Sequence, residues 1–406
     1  MIRLDVVIQN GSGNPVEGLT QQDFTLLDNT QRGKVLSFQA FGAAATPSPP
    51  VEVILMVDEL NMPEPQLSAE EHEAESFLRQ NHGHLRQPVS VYWIDKDGLS
   101  TSGSPSYDGD ILADEISHRG EPNRVWKMPA VEEYLGKFAR AGKVDKKALY
   151  SLIALGSIAI EQRRRPARKL MFWLGHGWQF EALGVGGEGT GAFDFLTELS
   201  TRLREARISL WGANEWAVLD ANGKPVPVSA PMFKEYLNDV TPDKAFLGYL
   251  QLQVIAAQTG GGLLTTQSDL AGSIAKHVEQ ANCFYSLTFN PPRTKVVDEY
   301  HRLQVEIGKP NLIAHARAGY FDQPVFYDQP RDDVERLTVA QLEQSLRAAH
   351  ASSGNDQARL LSKIELTERL NSTELAKLES TLKGKKARQA LVVLADQSAF
   401  LVPPAR

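Results

Sequence analysis

An apolar run in this chain ends on a single carboxylate. Val51-Glu-Val-Ile-Leu-Met-Val-Asp58 is followed by Glu59-Leu60-Asn61-Met62. Such a run reads as a buried central strand that delivers its acid to the carboxyl edge of a parallel sheet, where open α/β sheets hold their ligands. A Mg²⁺ or Ca²⁺ site there needs further oxygen ligands close behind the strand. Leu60 and Met62 offer none, so Asp58 reads as a site position whose cation chemistry has been removed. A second constellation is Asp58 with Asp145 and His176, two carboxylates and an imidazole, which suits Zn or Mn. The alternative for His176, between Gly175 and Gly177, is a turn histidine at the sheet rim.

Four other segments carry chemistry-bearing residues. The glycine-rich 184–191 precedes a helix, but no Lys-Ser/Thr follows it, so a loop fits better than a phosphate cradle. Arg163-Arg-Arg-Pro-Ala-Arg-Lys169 is either a solvated helix end opposing the negative dipole terminus or a patch for an anionic partner. Asp95-Lys96-Asp97-Gly98 resembles the start of a calcium loop but lacks the remaining ligands, and a turn at a strand end accounts for it. Cys283, the sole cysteine, excludes an intrachain disulfide and reads as a small buried residue. No nucleophile–histidine–acid pattern stands in recognisable context, so no catalytic residue and no cofactor are assigned.

These residues need elements to position them. With 406 residues, 42% hydrophobic and 23% charged, the chain has an ordinary globular composition. A net charge of −7 gives no electrostatic reason to bind nucleic acid or anionic lipid, and no apolar stretch is long enough for a membrane span. Leu4 to Gln9, Phe24 to Leu27 and Lys34 to Phe41 pattern as strands, and a small-residue, proline-rich linker follows.

Strand and helix patterns then alternate. Strands are expected at 51–58, 89–94, 169–174, 208–213 and 262–265. Helices are expected at 68–80, 107–117, 131–141, 146–161, 193–206, 245–259 and 269–280. That rhythm predicts a doubly wound parallel sheet. Period-two patterning returns at 283–290, 301–307 and 314–320. Helices are predicted at 342–350, 357–370, from Asn371, and over 386–401, with Thr338 and Gln341 as a capping box.

Several segments together resemble the von Willebrand factor type A-related domain family found widely in Acidobacteria. LDVVIQNGSGNPVEGLTQQDFTLLDN, residues 4–29, is similar to that family's opening. Met56-Val-Asp-Glu-Leu-Asn61 is similar to its first parallel strand, and Ala148-Leu149-Tyr150 to the start of a family helix. Residues 169–177 resemble the strand before its Asp-Gly turn. Phe284-Tyr-Ser-Leu287 and Arg317-Ala-Gly-Tyr-Phe321 resemble its closing β unit, and the tail from Leu394 is also similar.

The resemblance implies a type A, Rossmann-like α/β domain at 51–282 inserted in a β-sandwich made by 1–46 and 283–325, with a helical region at 331–406. It implies a metal-ion-dependent adhesion site, of which only Asp58 survives. Leu60 and Met62 fall on the serine positions, Lys147 on the threonine and Gly175 on the second acid; Glu59, Asn61, Asp145 and His176 would line the rim. The implied protein is a non-catalytic adhesion module that holds no metal, binds a protein ligand and works outside the cytoplasm. Lys147 either places its ammonium where the cation would sit, paired with Asp58, or points to solvent beside Lys146 as a charged residue at a helix start. The rival expectations are a metal-dependent enzyme using Asp58, Asp145 and His176, and a scaffold that binds through its helical tail.

Overall fold

The computed structural model of the chain describes residues 2–42, 51–62, 64–118, 123–128, 146–175, 177–178, 189–212, 217–219, 225–227, 251–264, 269–292, 298–322, 335–398 and 404. The fold is mixed α/β around an eight-stranded sheet. In spatial order its strands are Gly262–Leu263, Ile208–Gly212, Lys169–Leu174, Glu52–Asp58, His84–Asp95, Gly98–Thr101 and Asn123–Lys127, with Ser106–Asp108 also paired to His84–Asp95. The first five are parallel.

Glu52–Asp58 is buried because helices cover both sheet faces. Ile54 and Met56 pack with the helices Lys146–Gln162, Gly189–Glu205 and Leu252–Gln258. Val53, Leu55 and Val57 pack with Glu64–Leu78, Gly109–Ser117 and Leu270–Gln280. Neither face tolerates a polar residue, so the strand shows no polar alternation.

The sheet is not the purely parallel one expected. Gly98–Thr101, Asn123–Lys127 and Ser106–Asp108 join it antiparallel. The cause is the Asp95–Gly98 turn. Asp95 Oδ1 accepts the backbone N–H groups of Asp97 at 2.7 Å and Gly98 at 2.9 Å, and an Arg124 N–H at 2.8 Å. Gly98 has φ +135°, and a Cβ there would stand 2.2 Å from the Trp126 carbonyl oxygen. The turn's first carboxylate is thus committed to chain reversal and an arginine. Strands of three to five residues are too short to announce themselves by periodicity.

Two four-stranded antiparallel sheets flank this unit. One runs Leu312–Ala316, Ile2–Asn10, Phe284–Phe289, Val35–Phe41; the other Gly319–Phe321, Tyr300–Ile307, Phe24–Asp28, Gln31–Arg32. The N-terminal segment and the segment after Cys283 therefore pair directly in both. Ile2, Leu4, Val6 and Ile8 point at period two into a core shared with Phe24, Leu26 and Leu303 of the second sheet.

The C-terminal region has its own core. Its helices are Val339–Ala348, Gly354–Ser362, Ser372–Thr381 and Gly384–Ser398. Thr338 and Gln341 form the capping box and Asn371 caps the third helix. The helix expected over 357–370 stops at Ser362. Ile364–Leu366 instead pairs parallel with Glu335–Leu337, burying Ile364 and Leu366 at strand period. The helix expected at 131–141, and residues 245–250 of another, lie outside the described residues. No helix among the described residues is long and apolar enough to cross a membrane.

The basic run is neither a wholly solvated helix end nor a free patch: the Arg164 side chain stays 60% exposed, but its charge and those of its neighbours are paired. Arg163 and Arg164 both contact Glu379 of the C-terminal region, at 3.2 and 3.3 Å. Arg165 pairs with Glu52 at 3.4 Å. Fully buried Lys169 turns back on the preceding helix and donates to the carbonyls of Gln162 and Arg165. There it satisfies acceptors that a helix end leaves open.

Candidate functional site

Asp58 ends the central strand at the sheet's carboxyl edge, in register with Ile94 of the next strand. It is 0% exposed. Oδ1 accepts the backbone N–H groups of Leu60 at 3.1 Å and Asn61 at 3.2 Å, and the Asn61 side-chain Nδ2 at 3.0 Å. Oδ2 accepts Asn61 Nδ2 at 2.8 Å, the Trp173 indole Nε1 at 3.1 Å and the Ser151 hydroxyl at 3.4 Å. Asn61 Nδ2 also reaches Ser151 Oγ at 2.8 Å. A carboxylate offers about four lone-pair sites, and six contacts already converge on this one. Burial pushes its pKa up from 3.8 to about 6, against the opposing pull of the bonds from Asn61, Trp173 and Leu60. The donors are all neutral, so hydrogen bonding holds the carboxylate without a compensating charge.

The apolar replacements close the loop after the strand. Met62 is buried in one core, and Leu60 packs against the other. Glu59 anchors the turn by donating its backbone N–H to the Ile94 carbonyl at 3.0 Å. Gly175, on the second-acid position, has φ +121°, and a Cβ there would lie 3.2 Å from Asp58 Cβ and 3.3 Å from its carbonyl oxygen. Any side chain there is strained by the positive φ and fits tightly against the end of the strand. The Gly175 N–H instead donates to Glu70 Oε2 at 2.5 Å.

Lys147 is not the group that fills the cation's place. It lies in the exposed first turn of Lys146–Gln162, while Ser151, four residues on and one turn deeper on the same face, is fully buried and meets Asp58. An ammonium there would have to lose its hydration; a hydroxyl and an amide reach the carboxylate at less cost. Asp145 and His176 lie outside the described residues, as do positions 184–188 of the glycine-rich segment. Among the described residues no three His, Cys, Asp or Glu side chains gather as a metal site. Cys283 is buried, and burial raises its thiol to about 11, which leaves no reactive thiolate at neutral pH.

Sequence reading missed Ser151 and Trp173. The helical period from Lys147 points to Ser151. Trp173 gives no such signal, since an indole within an apolar strand reads as core; here it packs edge-on to Trp178 at 4.8 Å and turns its N–H to the acid.

The fold and site define a class: an α/β chain with helices on both faces of a mixed sheet and a saturated acid at its central carboxyl edge. No protein-family model matches the chain, and no curated protein matches it.

Proposed function

We propose that this chain is a non-catalytic protein-binding module of the type A kind, in which the Asn61 amide stands where an adhesion-site cation would sit. The observation that carries the reading is the state of Asp58: wholly buried, with both oxygens occupied by neutral donors from Asn61, Trp173 and Ser151. A carboxylate in that state has neither the free lone pairs for a hard cation nor the access for a substrate. In this reading the two four-stranded sheets around one core are the β-sandwich into which the α/β unit is inserted. The partner is a protein engaged without a bridging metal, in the extracytoplasmic setting that the family resemblance implies.

The test is calorimetric titration of the full chain with Mg²⁺, Mn²⁺ and Ca²⁺, alongside partner capture from native extract with and without chelator. The expected results are no saturable heat and capture indifferent to chelator. Stoichiometric micromolar binding that disappears in Asp58→Ala overturns the reading. Turnover that requires added metal would move the protein to the enzyme class.

A further inference from the structure

The opposite edge of the main sheet gathers cations. At the amino ends of Lys169–Leu174 and Ile208–Gly212, a cavity of ≈ 40 Å³ is lined by Arg3, Asp5, Arg168, Arg204, Arg207 and Arg317. Five guanidinium groups face one carboxylate, and that carboxylate is already engaged. Asp5 Oδ2 accepts Arg207 Nη2 at 2.7 Å and Nε at 3.1 Å, and its Oδ1 accepts the Ser286 hydroxyl at 2.7 Å.

Arg3 Nε also lies 3.8 Å from Asp5 Oδ1; Arg168, Arg204 and Arg317 are poorly compensated. Arg168 is 6% exposed; it donates to the Ala281 carbonyl at 3.1 Å and stacks over the Phe284 ring, yet its Nε is buried without a partner. Arg204 Nε and Arg317 Nη1 are likewise buried with no acceptor. Burial, then repulsion from Arg204, pushes Arg317 down to about 9. Arg204, in a last helical turn, could be explained by the helix dipole alone. Arg168 and Arg317 cannot. Uncompensated buried charge is costly unless a counter-charge enters.

We propose that this cavity binds a free tetrahedral oxyanion, inorganic phosphate or sulfate. Guanidinium forks suit oxyanions because paired N–H donors match paired oxygens. The volume suits a few waters or one small ion and is far below that of a nucleotide site. The arginines come from the N-terminal strand, the ends of two α/β crossovers and the segment after Leu312–Ala316. One anion would therefore tie the flanking sheets to the main sheet. The inference is independent of the binding reading for the Asp58 edge.

Calorimetry and thermal unfolding of the full chain in inorganic phosphate, against chloride at equal ionic strength, test it. One ion per chain is expected, with Kd at or below about 1 mM and a saturating rise in Tm. Sulfate should compete. Arg317→Gln and Arg204→Gln should each weaken binding about tenfold or more. In chloride both variants should be no less stable than the parent, because each relieves repulsion. Phenyl phosphate, which carries the same head group on a bulky ring, should bind about tenfold more weakly. No saturable phosphate binding by the parent up to about 20 mM overturns the proposal, as does unchanged binding in both variants. Equal affinity for the monoester overturns the assignment to a free ion.

Discussion

Asp58 is held by hydrogen bonds where its relatives in chemistry would be held by a charge, and the difference has a pH signature. Its folded-state pKa is raised, from 3.8 to about 6. The folded state therefore binds the proton more tightly than the unfolded one, and the contribution is favourable below about pH 4 and lost as pH rises through about 6. Roughly two units correspond to about 3 kcal/mol. Asp58→Asn is neutral throughout, and it also turns an amide N–H₂ toward the Trp173 and Asn61 donors, a cost of about 1–3 kcal/mol that does not vary with pH. Between about pH 4.5 and 7.5 the stability difference should move toward the variant by about 2 kcal/mol. Urea unfolding at both pH values measures it, and a constant difference would sink the account. At this scale the sequence announced the acid, because an apolar run ending on one carboxylate has few other meanings. It could not announce Trp173, 115 residues away within an apolar strand, and it pointed to Ser151, 93 residues away, only through the helical period from Lys147.

At the scale of elements, period-two patterning located the long flanking strands, apolar runs located the central ones, and capping chemistry located the helix starts after Thr338 and Asn371, because these signals are local. Short antiparallel strands and the tie between flanking strands are not local. Asp28, His301 and Tyr320 join three strands of one flanking sheet. His301 Nδ1 and the Tyr320 hydroxyl each lie 2.6 Å from Asp28, on its two oxygens, and the two rings stack at 4.8 Å. Asp28 and His301 are both 2% exposed. Burial alone would lower the His301 pKa, but the bond to Asp28 and the charges of Asp28, Asp322 and Glu299 outweigh it and raise it. A raised histidine pKa means that the stabilisation is complete below about pH 6.5 and is lost as pH climbs through the folded value. Asp28→Asn removes one member of a buried pair and should cost roughly 3–5 kcal/mol at about pH 6, with a smaller cost at about pH 9. Equilibrium unfolding at the two pH values reads both. A variant as stable as the parent at the lower pH contradicts the pairing, and a larger loss at the higher pH contradicts the sign.

The whole molecule is held together unevenly. The main sheet has apolar cores on both faces, whereas the C-terminal region keeps a separate core of its own. Polar contacts bridge the two: Glu379 receives Arg163 and Arg164, and Lys385 pairs with Glu198. A helical tail was legible from its caps and periodicity; its docking was not, because a run of arginines looks the same whether it meets water or a glutamate from 216 residues away. Separate cores joined by ion pairs should open as separate units. Glu379 is the joint to test, since it is 5% exposed and the Arg163 side chain only 10%. Glu379→Ala strands a largely buried guanidinium, which should weaken docking by about 3 kcal/mol, while the tail's own core, apart from one small side chain, is untouched. Limited proteolysis should then cut between the two parts and release an intact C-terminal fragment that the parent yields far more slowly. Glu379→Gln, which keeps the shape and one acceptor, should fall between them. If the alanine variant is digested like the parent, docking does not depend on this joint; if its tail is degraded rather than released, the region is not a unit of its own.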